Sequence, residues 1–406
     1  MRQVVSLQQL CQDLKIEYIP HSFTHVYDEG VQLYKDGFPF LNRAYFQAFN
    51  AKYQLFQKYT DLIQEAGEAL EKNERLLLFV CILSKALLKF TTYELIRDLS
   101  LPTTEDPEEL LAYRFAPLFA LLPSVERTVQ RFRDRNVPES VIADTLKQYE
   151  GCIDTVKKRW GYLGYNGIYF NWMTLTVNNA IMTVGRLQYE IRDFSGLLSA
   201  FRNKEGETVL LADQIRVNKD GVGIHYEKIA DNKEAMHCQI QETEEYYMGN
   251  VISPEGFVTT EVRMLPKAQW EKVLSHGDLS ISIHIPASGK LTDALCMESY
   301  REAKRIFAEC FPDMAFKTYF CHSWLMDPQL RAMLKPDSNI LKFMSRYSLY
   351  PYEASENDDV FAFVFTDPFK TYADLPETTS LMRSIKQHYL SGKSIYVCGG
   401  ILETDY

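Results

Sequence analysis

Over the first 160 residues the apolar positions recur at steps of three and four, the spacing of helices that bury one side. Phe46, Phe49, Tyr53, Phe56, Tyr59, Ile63, Ala66 and Leu70 form one such stripe and predict a continuous amphipathic helix over 45–70. Asn73 can cap the next helix, through Leu76 and Phe79 towards Phe90, because its short side chain reaches an unpaired first-turn amide. The stretch 102–107 (PTTEDP) breaks the pattern, 108–122 resumes it, and Pro123 with Ser124 opens another helix. From 136–139 the spacing restarts, and it runs to Trp160 before stopping near Gly161. Short breaks between such helices predict a bundle of antiparallel neighbours.

Beyond Gly161 the texture changes. The stretch GYLGYNGIYFNW (161–172), rich in glycine and aromatics, marks the expected junction between a helical N-terminal domain, 1–160, and a second domain, 161–406. Strand-like runs follow at 187–191, 209–217, 222–226 and 257–264, with turns at Asn218-Lys219-Asp220-Gly221 and Ser253-Pro254-Glu255-Gly256. Helical patterns return at 292–311, 327–334 and 379–390. Strands mixed with a few helices, after an all-helical part, predict an α+β domain with a mostly antiparallel sheet.

The clearest local signal is 278–320. In DLSISIHIP, Leu279, Ile281, Ile283 and Ile285 point one way while Ser280, Ser282 and His284 point the other, and Pro286 ends regular pairing. A short connection, Ala287-Ser288-Gly289-Lys290-Leu291, leads to Thr292 and a helix from Asp293; a second strand is expected at 316–325. Such a turn can gather free amides, the positive end of a helix and the Lys290 charge around an anion, or it can be an ordinary β-to-α bend. In CHSW (321–324), neighbours on a strand face opposite sides, so His322 cannot activate Cys321 or Ser323. His322 and His284 are instead candidate general bases lining one cleft, or half-buried histidines bonded to carbonyls. Asn339, Phe343 and Tyr347 recur every four residues and fit one helical face, as site residues or as core. Arg186 and Glu190 read as a structural ion pair beside Gly185, and the acidic run 242–245 with Tyr246 and Tyr247 as a solvated face.

Composition narrows the classes. With 406 residues and 46% hydrophobic content the chain can fill its cores, which excludes wholesale disorder. A net charge of −10 argues against a polyanion-binding surface, so no nucleic-acid partner is expected. The eight cysteines are scattered without a C-x-x-C pair, as expected of reduced thiols in the cytoplasm. For a metal site a third ligand would have to be chosen freely from the many acids, and no metal is expected. The most apolar run, 76–83, falls far short of the ~20 residues of a membrane helix, and the amino terminus lacks a signal-peptide core.

Four segments in one order, GRLQYE (185–190), ISIHIPASGKLT (281–292), CHSWLMDPQL (321–330) and PDSNILKF (336–343), resemble a bacterial family of acyltransferase-domain proteins. That family joins a helical N-acyltransferase domain to a C-terminal domain like the GNAT N-acyltransferases. The resemblance implies an acyl-CoA or acetyl-CoA cosubstrate and a small-molecule amine as acceptor. It implies a cofactor turn made of Ile285, Ala287, Ser288, Gly289, Lys290, Leu291 and Thr292, with Asn339 contacting the cofactor arm. His322 or His284 would take the amine proton and Tyr347 would stand near the leaving thiolate. The superfamily's phosphate loop is Q/R-x-x-G-x-G/A, whereas Gly289 stands alone here. That departure keeps open a non-catalytic CoA- or ligand-binding module on the same frame; a metal-dependent hydrolase is the third class.

Overall fold

The computed structural model describes residues 3–89, 99–224, 235–287, 289–356, 358–365 and 369–403. The chain divides into two compact units, 1–184 and 185–406.

The first unit contains α1 (Leu7–Asp13), α2 (Tyr27–Asp36), α3 (Arg43–Tyr53), α4 (Thr60–Lys72), α5 (Glu74–Lys89), α6 (Leu110–Leu121), α7 (Val125–Asp134), α8 (Glu139–Leu146), α9 (Gln148–Trp160), α10 (Gly167–Val177) and β1 (Ile181–Val184). The apolar run 76–83 is the centre of α5, buried on every side, with α2, α4 and α6 against it. The α2 backbone comes so close that a Cβ on Gly30 would lie 2.6 Å from the Ile82 Cα, which requires glycine there. Asn73 caps α5, its Oδ1 accepting from the Leu76 amide at 3.0 Å. The single helix expected over 45–70 is in fact two. Gln54 takes a left-handed φ of 51° and ends α3, and Asn50 bonds both the N–H and the C=O of Phe56 to brace the break. Leu55 and Phe56 stay buried inside that break, so the apolar stripe outlasts the helix.

In the second unit the strands are β2 (Leu187–Asp193), β3 (Leu198–Asn203), β4 (Thr208–Ala212), β5 (Ile215–Val217), β6 (Met236–Cys238), β7 (Gln241–Glu242), β8 (Tyr246–Ile252), β9 (Val258–Pro266), β10 (Trp270–Ser275), β11 (Leu279–His284), β12 (Tyr319–Ser323), β13 (Tyr347–Glu356) and β14 (Tyr396–Leu402). The helices are α11 (Asp293–Cys310), α12 (Leu330–Met333), α13 (Asn339–Met344), α14 (Asp358–Val364) and α15 (Ser380–Leu390). The main sheet runs β2-β11-β12-β14-β13, a second runs β10-β3-β4-β8-β7 with β9 beside β8, and β5 pairs β6. All these pairings are antiparallel except β11 with β12. The fold is therefore α+β, a helical part followed by a mixed, mostly antiparallel sheet with flanking helices.

One difference from the sequence expectations is local. The run 209–217 is two strands, because Gln214 adopts a φ of 52° and Asp213 turns to accept the Ile240 amide. Of 222–226, residues 225 and 226 lie outside the described residues.

On one face of the main sheet lies α11. Phe307, 2% exposed, meets the rings of Tyr189 and Tyr319, and the Tyr189 hydroxyl bonds Ser299 Oγ at 2.8 Å. Phe194, Phe320 and Tyr350 join the other face to Leu198, Ala200, Ala212 and Leu274 of the second sheet in one core. This explains why Ser280 and Ser282, the polar row of β11, are buried.

Candidate active site

The parallel ladder between β11 and β12 comprises Ile281↔Tyr319 and Ser282↔Phe320 and then stops. Beyond it both strands run on, β11 to His284 and β12 to Ser323, without a further ladder pair, which leaves an opening in the ladder. The Ile281 amide donates to Thr318 across the ladder, so by alternation the Ile285 amide faces the opening. The second strand is shorter than expected, because Ser323 caps a 3-10 turn over Trp324–Met326 and its Oγ accepts the Leu325 amide.

Register assigns the side chains to faces. Glu190 pairs with Ser282 on β11, His322 with Gly399 on β14, and Gly399 with Tyr350 on β13. His284, Glu190, His322 and Tyr350 therefore share the face that turns towards the second sheet. His284 Nε2 lies 2.8 Å from Glu190 Oε2, with Arg192 3.5 Å from the same oxygen. The expected Arg186–Glu190 pair does not form. Burial alone would raise the Glu190 pKa, but the His284 hydrogen bond and charge and the Arg192 charge outweigh it and hold the carboxyl below its ordinary value. An ionised Glu190 can accept from Nε2–H and so orient the His284 ring.

His322 sits differently. Its Nε2 is 2.8 Å from the Tyr350 hydroxyl, and its ring stacks on Tyr352 at 4.0 Å. Burial, then the charges of Arg192 and His284, push its pKa down to about 3. An unfolded histidine takes up its proton near ~6.5, so between that pH and about 3 the unfolded chain binds more protons. The stability held above that window is lost progressively as pH falls through it. Substituting His322→Gln should remove up to ~1.4 kcal/mol per pH unit of this slope, read from urea midpoints between pH 7 and 4. An unchanged slope would refute the assignment.

Tyr347 lies elsewhere. α13 ends at Met344, so Tyr347 opens β13 rather than extending the helical face of Asn339 and Phe343. It is buried on the α11 side, its hydroxyl 2.9 Å from that of Tyr300. Asn339 is exposed at the first position of α13, whose cap is Ser338.

Ile285, Ala287, Gly289, Lys290, Leu291 and Thr292 form the connection to α11; Ser288 lies outside the described residues. Gly289 has a φ of +82°. Thr292 is the N-cap by conformation, yet its side chain makes no capping bond. Asp293, in the first helical turn, is held by Arg346 at 2.9 Å. Among the described residues, the amides of Ala287, Gly289, Lys290 and Leu291 donate no hydrogen bond. Sequence reasoning missed Tyr350 and Tyr352 as partners of His322. One signal was present: Gly399-Gly400 inside a strand marks a close approach, and a Cβ on Gly399 would lie 2.1 Å from the Tyr350 ring.

A strand and its parallel neighbour that part beside a turn of unpaired amides, with a helix starting there, define the acyltransferase class of GNAT-like folds. The chain belongs to the family that joins an N-acyltransferase N-terminal domain, matched over residues 48–178, to a GNAT-like C-terminal domain, matched over 181–402. Among solved structures it is similar to an acyltransferase mutant in complex with octanoyl-CoA, at 17% identity and a TM-score of 0.59, covering 88% of this chain and 87% of that one. It is also similar to an acyltransferase in complex with decanoyl-CoA, at 20% identity and a TM-score of 0.56, covering 85% and 82%. A third, in complex with decanoyl-CoA and teicoplanin, has 17% identity and a TM-score of 0.55 over 84% and 83%. No curated protein matches the sequence. Among the described residues no helix is long and apolar enough to cross a membrane, and no group of three or more His, Cys, Asp or Glu side chains could hold a metal ion.

Proposed function

We propose that the protein transfers an acyl group from acyl-CoA to an amine of a small-molecule acceptor. The observation that carries this reading is the opening between β11 and β12, which begins beside His284 and ends at the unpaired amides before α11. The diphosphate of the cofactor would bind those amides, and its pantetheine arm would enter between the strands. Family membership and the acyl-CoA complexes of similar structures support the same cosubstrate.

In the reaction the amine nitrogen attacks the thioester carbonyl. The C–N bond forms, the C–S bond breaks, and the nitrogen loses a proton. We assign that proton to the His284 imidazole, with Glu190 orienting the ring and stabilising the imidazolium. The Ile285 amide, facing the opening, would hold the oxyanion. The imidazolium can then give the proton to the departing thiolate, which leaves as the free thiol of CoA.

Free-thiol release from acyl-CoAs across a panel of amines tests the reading. Thiol release that depends on the amine is expected, and a protein that neither releases thiol nor gains thermal stability with CoA would overturn it. Gly289→Val should raise KM for acyl-CoA by about tenfold or more, because a β-branched residue resists a φ of +82° and the turn must rearrange. Unaltered KM would remove this turn from the cofactor site.

A further inference from the structure

One basic side chain of the site remains without a role. Arg186 follows Gly185 in the tight turn into β2, yet its guanidinium reaches across to the β11–α11 connection. Its Nε donates to the Lys290 carbonyl at 3.0 Å, and its Nη2 donates to the carbonyls of Pro286 and Gly289 at 2.9 and 3.4 Å. The side chain is half-buried, and burial lowers its pKa from the ordinary value.

In a trans peptide the C=O and the following N–H point in opposite directions. Fixing the oxygens of Pro286, Gly289 and Lys290 on one guanidinium therefore turns the N–H groups of Ala287, Lys290 and Leu291 away from it. These three amides are among those that donate to no protein acceptor within the described residues. Three N–H groups turned away from a positive charge that backs them can form an anion-binding concavity. A glycine-rich loop reaches such a shape through its own flexibility; here Gly289 is the single glycine of the connection, and its Cα lies close beneath Arg186, a Cβ there falling 3.9 Å from Nε.

We propose that Arg186 is a positioning residue that shapes the diphosphate turn from the neighbouring turn into β2, replacing the conformational role of the missing glycines. The inference rests on the acyl-CoA reading above. Its specific content is that the planar fork, rather than the charge alone, sets the turn. Lysine keeps the charge but cannot hold three carbonyls in one plane.

The test compares wild type, Arg186→Lys and Arg186→Met with two donors carrying the same thioester, acyl-CoA and acyl-pantetheine, the second lacking the diphosphate. KM for acyl-CoA is expected to rise tenfold or more in both variants, with kcat lowered no more than about twofold. KM for acyl-pantetheine should stay within twofold of wild type, which also reports that the variants are folded. Calorimetric titration with inorganic pyrophosphate should show binding to wild type and at least tenfold weaker binding to both variants. Unchanged KM for acyl-CoA in both variants would overturn the proposal, and a Lys variant matching wild type would reduce Arg186 to a point charge and overturn the fork. Loss with both donors alike would assign Arg186 to general structure, against the proposal. Wild type that binds pyrophosphate but neither binds nor turns over acyl-CoA sinks the functional reading while leaving the turn; wild type that binds neither sinks both.

Discussion

Replacing His284 by alanine is expected to lower kcat for amine acylation by about 10²–10⁴-fold while KM for acyl-CoA changes only a few-fold. The asymmetry follows from where the residue stands. His284 is the last residue of β11, on the face away from α11, and its Nε2 is committed to Glu190 at 2.8 Å. It can take a proton in the transition state without touching the diphosphate turn, so binding of the donor should survive its loss. Glu190→Gln keeps a hydrogen-bond acceptor but removes the charge that stabilises the imidazolium, and a smaller loss, roughly tenfold, is expected. His322 provides the contrast. With its pKa pushed down to about 3 it stays neutral across the working range and is a weak base, so His322→Gln should retain far more activity than His284→Ala. Steady-state kinetics on purified variants decides between them. Full kcat in His284→Ala with collapse in His322→Gln would reverse the two assignments.

Much of this site was legible in the sequence because it is written in local patterns. The alternation of 279–284 fixed the faces of β11, Pro286 ended the ladder, and the helical spacing of 293–310 brought α11 back over the sheet. What stayed hidden depends on partners distant in sequence. Nothing in GRLQYE indicates that Glu190 turns to a histidine 94 residues away, or that Arg186 leaves Glu190 for a turn 100 to 104 residues away. Tyr347 illustrates the opposite failure. Its four-residue spacing from Phe343 suggested one helix, but the chain changes to strand after Met344, and the two rings still meet at 5.1 Å because the turn between them is tight. Periodicity thus reported a true contact and assigned it to the wrong element. The burial of the β11 serines was hidden for a similar reason: the sheet that covers them is contributed by the chain between β2 and β11.

A methyl group added at Gly399 should disturb both the fold and the chemistry. Gly399 stands opposite Tyr350 on β13 and His322 on β12, and an ideal Cβ there would lie 2.1 Å and 2.2 Å from two ring carbons of Tyr350 and 2.6 Å from its hydroxyl oxygen. No rotation of a flexible tip relieves such a clash, because Tyr350 is fully buried among Phe194, Phe320 and the second sheet. Overpacking of a closed core costs about 1–3 kcal/mol and occasionally more, and Gly399→Ala should reach at least the upper end, a fall in Tm of roughly 6–12 °C. The helical Gly151 gives the reference: its Cβ would meet only Gln148 Oε1 at 3.9 Å, so alanine there should stabilise by about 0.5–1 kcal/mol. The steric origin is separable by a double-mutant cycle. In a Tyr350→Ala background the ring is gone, and the cost of Gly399→Ala should shrink to a small fraction of its wild-type value. An equal cost in both backgrounds would mean that the glycine serves the strand backbone and not the ring. Activity should fall with stability in the single variant, because a displaced Tyr350 disturbs the sheet face it shares with Glu190 and His284; a Gly399→Ala protein as stable and as active as wild type would refute the close packing on which the placement of Tyr350 and His322 depends.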